Sequence, residues 1–108
     1  MKIGNFTLSR DGGWIGFINT LTIHAKVRLV LNDDKTSDKA PAFRVLLGNV
    51  RIGDAWETQT SEPVPKYYIS VRIDDPSLGE PIKASLFPSD SGNEAKLVWN
   101  RRKEGEAR

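Results

Sequence analysis

The chain has 108 residues, enough for one domain with its own core and too few for two ordinary ones. With 38% hydrophobic and 28% charged residues it is too apolar for a disordered chain, and its net charge of only +2 leaves any electrostatic role to the placement of charges. It has no cysteine and one histidine, which removes disulfides, thiolate metal sites and cysteine nucleophiles, and leaves too few ligands for an ordinary zinc site.

In chain order, apolar residues recur at every second position and turn residues arrive about every ten residues, the pattern of a small all-β domain. Residues 3–8 form a first strand that ends at the turn Asp11-Gly12-Gly13, and residues 14–19 follow as its hairpin partner. Gly16 within the second strand marks a bulge or a close backbone approach. Residues 21–31 alternate strictly, with Leu21, Ile23, Ala25, Val27, Leu29 and Leu31 facing a core and His24, Lys26 and Arg28 facing water. The polar loop 32–39 after it is expected to be mobile.

Residues 42–47 and 50–58 flank Gly48-Asn49, which reads as a two-residue hairpin turn with Leu47 opposite Val50 and Val45 opposite Ile52. Pro63 and Pro65 bar a regular ladder and lead into a strand over 67–74, whose Tyr67, Ile69, Val71 and Ile73 face inward. Strands over 81–87 and 94–100 complete the set. About eight short antiparallel strands thus form a small barrel or a sandwich, a single domain over residues 1–100. Residues 101–108 form a basic C-terminal tail without an apolar anchor, expected to be flexible. The expected core is Leu21, Ile23, Val27, Leu29, Val45, Leu47, Ile69, Val71, Leu86 and Leu97, with Trp14, Trp56 and Trp99 also buried. The N-terminus has no apolar signal core and no stretch approaches the roughly 18 apolar residues of a membrane span, so a cytoplasmic location is expected.

Five local strings resemble one family together: Ala40-Pro41-Ala42-Phe43-Arg44-Val45, Ile52-Gly53-Asp54-Ala55-Trp56, Asp74-Asp75-Pro76-Ser77, Pro81-Ile82-Lys83-Ala84-Ser85-Leu86 and Leu97-Val98-Trp99-Asn100-Arg101. In this order and spacing, from about Gly4 to Arg101, they resemble the bacterial domain of unknown function 736 family, often carried on plasmids and other mobile elements. The resemblance implies a small β-rich cytoplasmic protein and supplies no catalytic residues. The chain departs from the family pattern at Asp54, where a small residue is usual, and at Asn100, where serine is usual.

Enzymatic chemistry is not expected, and neither a cofactor nor a metal. His24 reads as an exposed strand residue, and Asp74-Asp75 before Pro76 as a turn at a strand end, since adjacent strand residues point apart. The glycines do not form a phosphate-binding loop, because no lysine-serine pair or opening helix follows them. The remaining signal is the outward face. His24, Lys26, Arg28, Arg44, Arg51, Arg72, Lys83 and Lys96 all take the wet parity, interleaved with Tyr68, Phe87 and Val98. Cations beside exposed aromatics are what a sheet uses to hold phosphates and stack the bases of a single strand. Strands also carry Lys and Arg simply for solubility and to block edge pairing. The expected function is therefore a non-enzymatic binding module, an accessory protein of a mobile element that binds single-stranded nucleic acid through Lys26, Arg28, Arg44, Arg72 and Tyr68. The alternative is a protein-interaction module or inhibitor that presents the same basic and aromatic surface to an acidic partner.

Overall fold

The structure, a computed structural model, describes residues 1–33 and 39–101. Eight antiparallel strands are joined in sequence order: β1 (Lys2–Leu8), β2 (Trp14–Asn19), β3 (His24–Leu31), β4 (Phe43–Leu47), β5 (Val50–Gln59), β6 (Tyr67–Ile73), β7 (Ile82–Pro88) and β8 (Glu94–Val98). β8 pairs back onto β1 and closes the barrel. The seam is extended beyond the ladder by Trp99 N–H donating to the Met1 carbonyl at 2.8 Å and Leu8 N–H to that of Asn93 at 2.9 Å. Closure removes both sheet edges, which settles barrel against sandwich.

Period-two alternation fills the lumen. Ile18, Val27, Leu29, Phe43, Val45, Ile69, Val71, Leu86 and Leu97 are buried, joined by Ile3, Phe6, Trp14 and Ile73. Among the described residues no polar or charged side chain is buried. Small inward residues make room for large ones: Gly16 lies opposite Phe6 and Val27, and a Cβ there would sit 2.2 Å from the Asn5 carbonyl oxygen and 2.5 Å from the Phe6 ring. Gly16 is thus a close approach rather than a bulge, with the Phe6 ring covering the gap a missing side chain leaves. The exterior carries Lys26, Arg28, Arg44, Arg72, Lys83 and Lys96, the inverse of a lipid-facing barrel wall.

The expected core needs correction where strands end. Leu21 is 96% and Leu47 41% exposed, and Leu31 and Tyr67, expected to face inward, lie exposed at the ends of β3 and β6. Alternation through 21–23 is interrupted by a turn: the Thr20 N–H donates to the Ile23 carbonyl at 2.8 Å, and the Thr20 hydroxyl accepts from the Ile23 N–H at 3.0 Å. β3 therefore begins at His24, opposite Asn19, and Leu21 sits at the loop tip. Leu47 closes the β4–β5 hairpin opposite Val50, at the end of the barrel and beyond its packed centre. That turn forms at Gly48-Asn49 as expected, with Gly48 at φ +62°, a conformation that glycine adopts without penalty.

The register past the turn differs from the expected one. Val45 faces Gly53, not Ile52, because the register slips between Val45 and Leu46 and leaves Ile52 as an extra residue. The slip reverses parity along the rest of β5. Trp56 consequently points outward beside Ser70, half-buried, with its indole N–H donating to the Lys39 carbonyl at 3.2 Å. Trp99 follows the end of β8 and is also only partly buried, whereas Trp14 is in the core. The expectations of a mobile loop and a flexible tail fall largely on residues 34–38 and 102–108, outside the described residues.

Candidate nucleic-acid interface

All five sequence-expected residues lie on the outer surface, but they do not share one patch. Lys26 and Arg28 project from β3, Arg44 from β4, and Tyr68 and Arg72 from β6. β3 is three strands from β6 in one direction and five in the other, so these groups look out from different sides of the barrel. Arg28 is tied down, its guanidinium donating to the Gly48 carbonyl at 3.0 Å. Arg44 donates to Asn32 Oδ1 at 3.2 Å and lies opposite Asp54. Lys26 lies opposite Phe17, which is 56% exposed.

Tyr68 and Arg72 belong to a continuous platform made by the outer faces of β6, β7 and β8. Register sets out its rows. Ser70 pairs with Ser85 and Ser85 with Val98, giving a floor of small side chains. Two residues along each strand in one direction stand Tyr68, Phe87 and Lys96, with Phe87 directly opposite Lys96. Two residues in the other direction stand Arg72 and Lys83, directly opposite one another, at a hollow whose lining also holds Trp99, Asn100 and Arg101 from the end of β8 and one acid, Glu80. At a rise of about 3.3 Å per residue the two rows are roughly 13 Å apart.

Each row has the chemistry its place suggests. The Tyr68 and Phe87 rings form a tilted pair, with centroids 5.5 Å apart and planes at 30°, on the solvent side of the barrel. Phe87 is 44% exposed there. In the other row Arg72 and Lys83 are like charges placed directly opposite, an arrangement that costs stability unless an anion lies between them. The Arg101 guanidinium sits 5.4 Å from the centre of the Trp99 ring. Arg72 also faces Asp54 on β5, but the Asp54 carboxylate is engaged by Arg51 in an ion pair. Lys83 and Lys96 make no ion pair among the described residues.

Beyond the aromatic row the surface turns acidic. A hollow of about 600 Å³ lined by Asn5, Phe87 and Lys96 also carries Asp90 and Glu94. A polyanion approaching Phe87 is therefore repelled on that side and favoured over the serine floor, toward Arg72 and Lys83.

Tyr67, next to Tyr68 at the barrel end, has its phenol pushed up to about 12 by burial and by hydrogen bonding to, and the charge of, Glu57. Because the folded state holds this proton more tightly than the unfolded chain, the associated stability is intact below pH 10 and lost as pH rises through about 12. An alkaline absorbance titration is expected to show one phenol ionising near 12, and Glu57→Gln is expected to bring it down toward 10. A titration unchanged by that substitution would show that Glu57 has no part in the shift.

Strand parity points Lys83, Lys96 and Phe87 outward but does not set them beside Tyr68 and Arg72. Arg101, expected in a tail, and Trp99, expected in the core, instead pair with one another. The sequential strand order, once recognised, was the signal that would have joined the rows.

The molecule is thus a small, closed, antiparallel β-barrel with an apolar lumen and a basic and aromatic platform on three consecutive strands. Residues 2–102 match the family described as protein of unknown function (DUF736), and the chain belongs to that family. A search of curated proteins and one of solved structures each found no match.

Proposed function

We propose that this protein is a non-enzymatic module that binds single-stranded nucleic acid across the outer face of β6, β7 and β8, with little sequence preference. The observation that carries the reading is the outward Tyr68–Phe87 ring pair, half-buried at Tyr68 and exposed at Phe87, on the same face as Arg72 and Lys83. Bases of a single strand stack on Tyr68 and Phe87, while the phosphates on either side are met by Arg72, Lys83, Arg101 and Lys96. Small residues at Ser70, Ser85 and Val98 let the strand lie close to the sheet. A duplex hides the base faces that such a surface uses, so single strands are preferred. Lys26, Arg28 and Arg44 add to the positive field from other sides of the barrel without touching the strand. The family resemblance fits a cytoplasmic accessory role for a mobile element.

Stacking of one base contributes about 1–3 kcal/mol when measured by alanine substitution. Phe87→Ala is therefore expected to weaken binding of a fluorescent oligothymidine by about 5- to 150-fold while leaving the melting temperature nearly unchanged, because Phe87 lies outside the core. An equal affinity for wild type and Phe87→Ala would remove the stacking role. In that case the basic row is better read as a docking surface for an acidic protein.

A further inference from the structure

The inside of the barrel offers a second site, independent of the outer platform. At the end built by the β2–β3 loop, the β4–β5 hairpin and the segment that follows β6, the lumen is not filled: a cavity of about 140 Å³ remains, walled by Ile18, Val27, Ile52, Ile73, Leu78 and Ile82. Ile52, left unpaired in β5 by the register shift after Val45, is part of this wall. Apart from Asp75 and Ser77 its lining is aliphatic, so the walls offer water little to bind. An aliphatic hollow of this size accommodates a group as large as a benzene ring, which gains there the dispersion contacts an unfilled space forfeits.

The mouth is polar on one side only. Asp75 and Ser77 stand at the lip, and no basic residue among those described lines the cavity. Asp75 is fixed there as a turn cap: its Oδ2 accepts from the Ser77 N–H at 2.9 Å, and its backbone carbonyl accepts from the Leu78 N–H at 2.9 Å. Hydrogen bonds from the Ser77 hydroxyl and N–H hold its carboxyl below the usual carboxylate range. Leu47, partly exposed, flanks the opening. Mouths of small barrels are recurrent places for apolar ligands.

We propose that this cavity binds a small molecule with one aromatic ring or a short alkyl chain, whose neutral or cationic end emerges beside the Asp75 carboxylate. The wall selects for an apolar body of that size, and the lip selects against an anionic head.

The test uses hexylamine and hexanoate, which share a chain and differ in charge, titrated into the full chain and followed by the methyl resonances of isoleucine. Hexylamine is expected to shift the methyls of Ile18, Ile52, Ile73 and Ile82 saturably, and hexanoate to bind about tenfold more weakly. Asp75→Asn, which keeps the turn-capping oxygen, is expected to bring the two ligands to similar affinity. Ala25→Phe, which projects into the cavity from β3, is expected to abolish the shifts. Should that variant fail to fold, Ala25→Leu serves the same purpose with a smaller side chain. The proposal is overturned if the isoleucine methyls do not move up to the solubility of hexylamine, if a filled variant that folds binds as well as wild type, or if hexanoate binds equally well.

Discussion

Leu86→Ala is expected to lower the stability of the barrel by about 2–5 kcal/mol, which for a domain of this size corresponds to a fall in melting temperature of roughly 10 °C or more. Leu86 is fully buried and faces Ile69 on one side and Leu97 on the other. Leu21→Ala is the matched control. The same atoms are removed from a loop tip, and a change within about 0.5 kcal/mol is expected. Thermal unfolding followed by far-ultraviolet circular dichroism measures both. Similar losses at the two positions would mean that Leu21 is packed and that β3 starts earlier than His24.

The second large effect separates the location of charge from its amount. Arg72→Glu with Lys83→Glu and Arg28→Glu with Arg44→Glu each replace two positive charges with two negative ones, so both take the net charge from +2 to −2. Only the first pair removes contacts from the β6–β8 platform. It is expected to weaken single-strand binding by about tenfold or more at low salt and to reduce the log–log salt slope from near −3 to near −1.4, at roughly 0.7 per phosphate contact. The second pair is expected to leave that slope near −3, because its effect on the strand acts at a distance and is screened within about 10 Å at 0.1 M salt. Loss of binding in the Arg28 and Arg44 pair, with the other pair unaffected, would move the interface to β3 and β4. Equal losses in both would reduce the interaction to net charge alone.

Much of this architecture is legible in the amino-acid order. Trp14 to Asn19 forms β2 over the expected residues, and the Gly48-Asn49 turn falls where glycine permits it. The failures have local causes. After Thr20, whose side-chain oxygen accepts backbone hydrogen bonds, a turn takes up three residues that the alternating pattern assigns to the strand. At Ile52, one additional residue in β5 reversed the facing of Trp56, and no feature of composition announces such a slip. The candidate interface was legible only by halves. Parity correctly placed Lys26, Arg28, Arg44, Arg72 and Tyr68 on the outside, since it depends on each strand alone. Which of them are neighbours depends on strand order and register, and these brought Phe87, Lys83 and Arg101 to Tyr68 and Arg72 while leaving Lys26, Arg28 and Arg44 elsewhere.

The central claim is that the outer face of β6, β7 and β8 holds a single strand by phosphate contacts and stacking, and its most direct test is the affinity of the wild-type protein for fluorescent oligothymidine across a series of salt concentrations. Saturable binding at low ionic strength, a log–log slope near −3 from about four phosphate contacts, and weaker binding of a duplex of equal length are the predicted results. No salt-dependent binding at low ionic strength, or a duplex bound as tightly as the single strand, would contradict it.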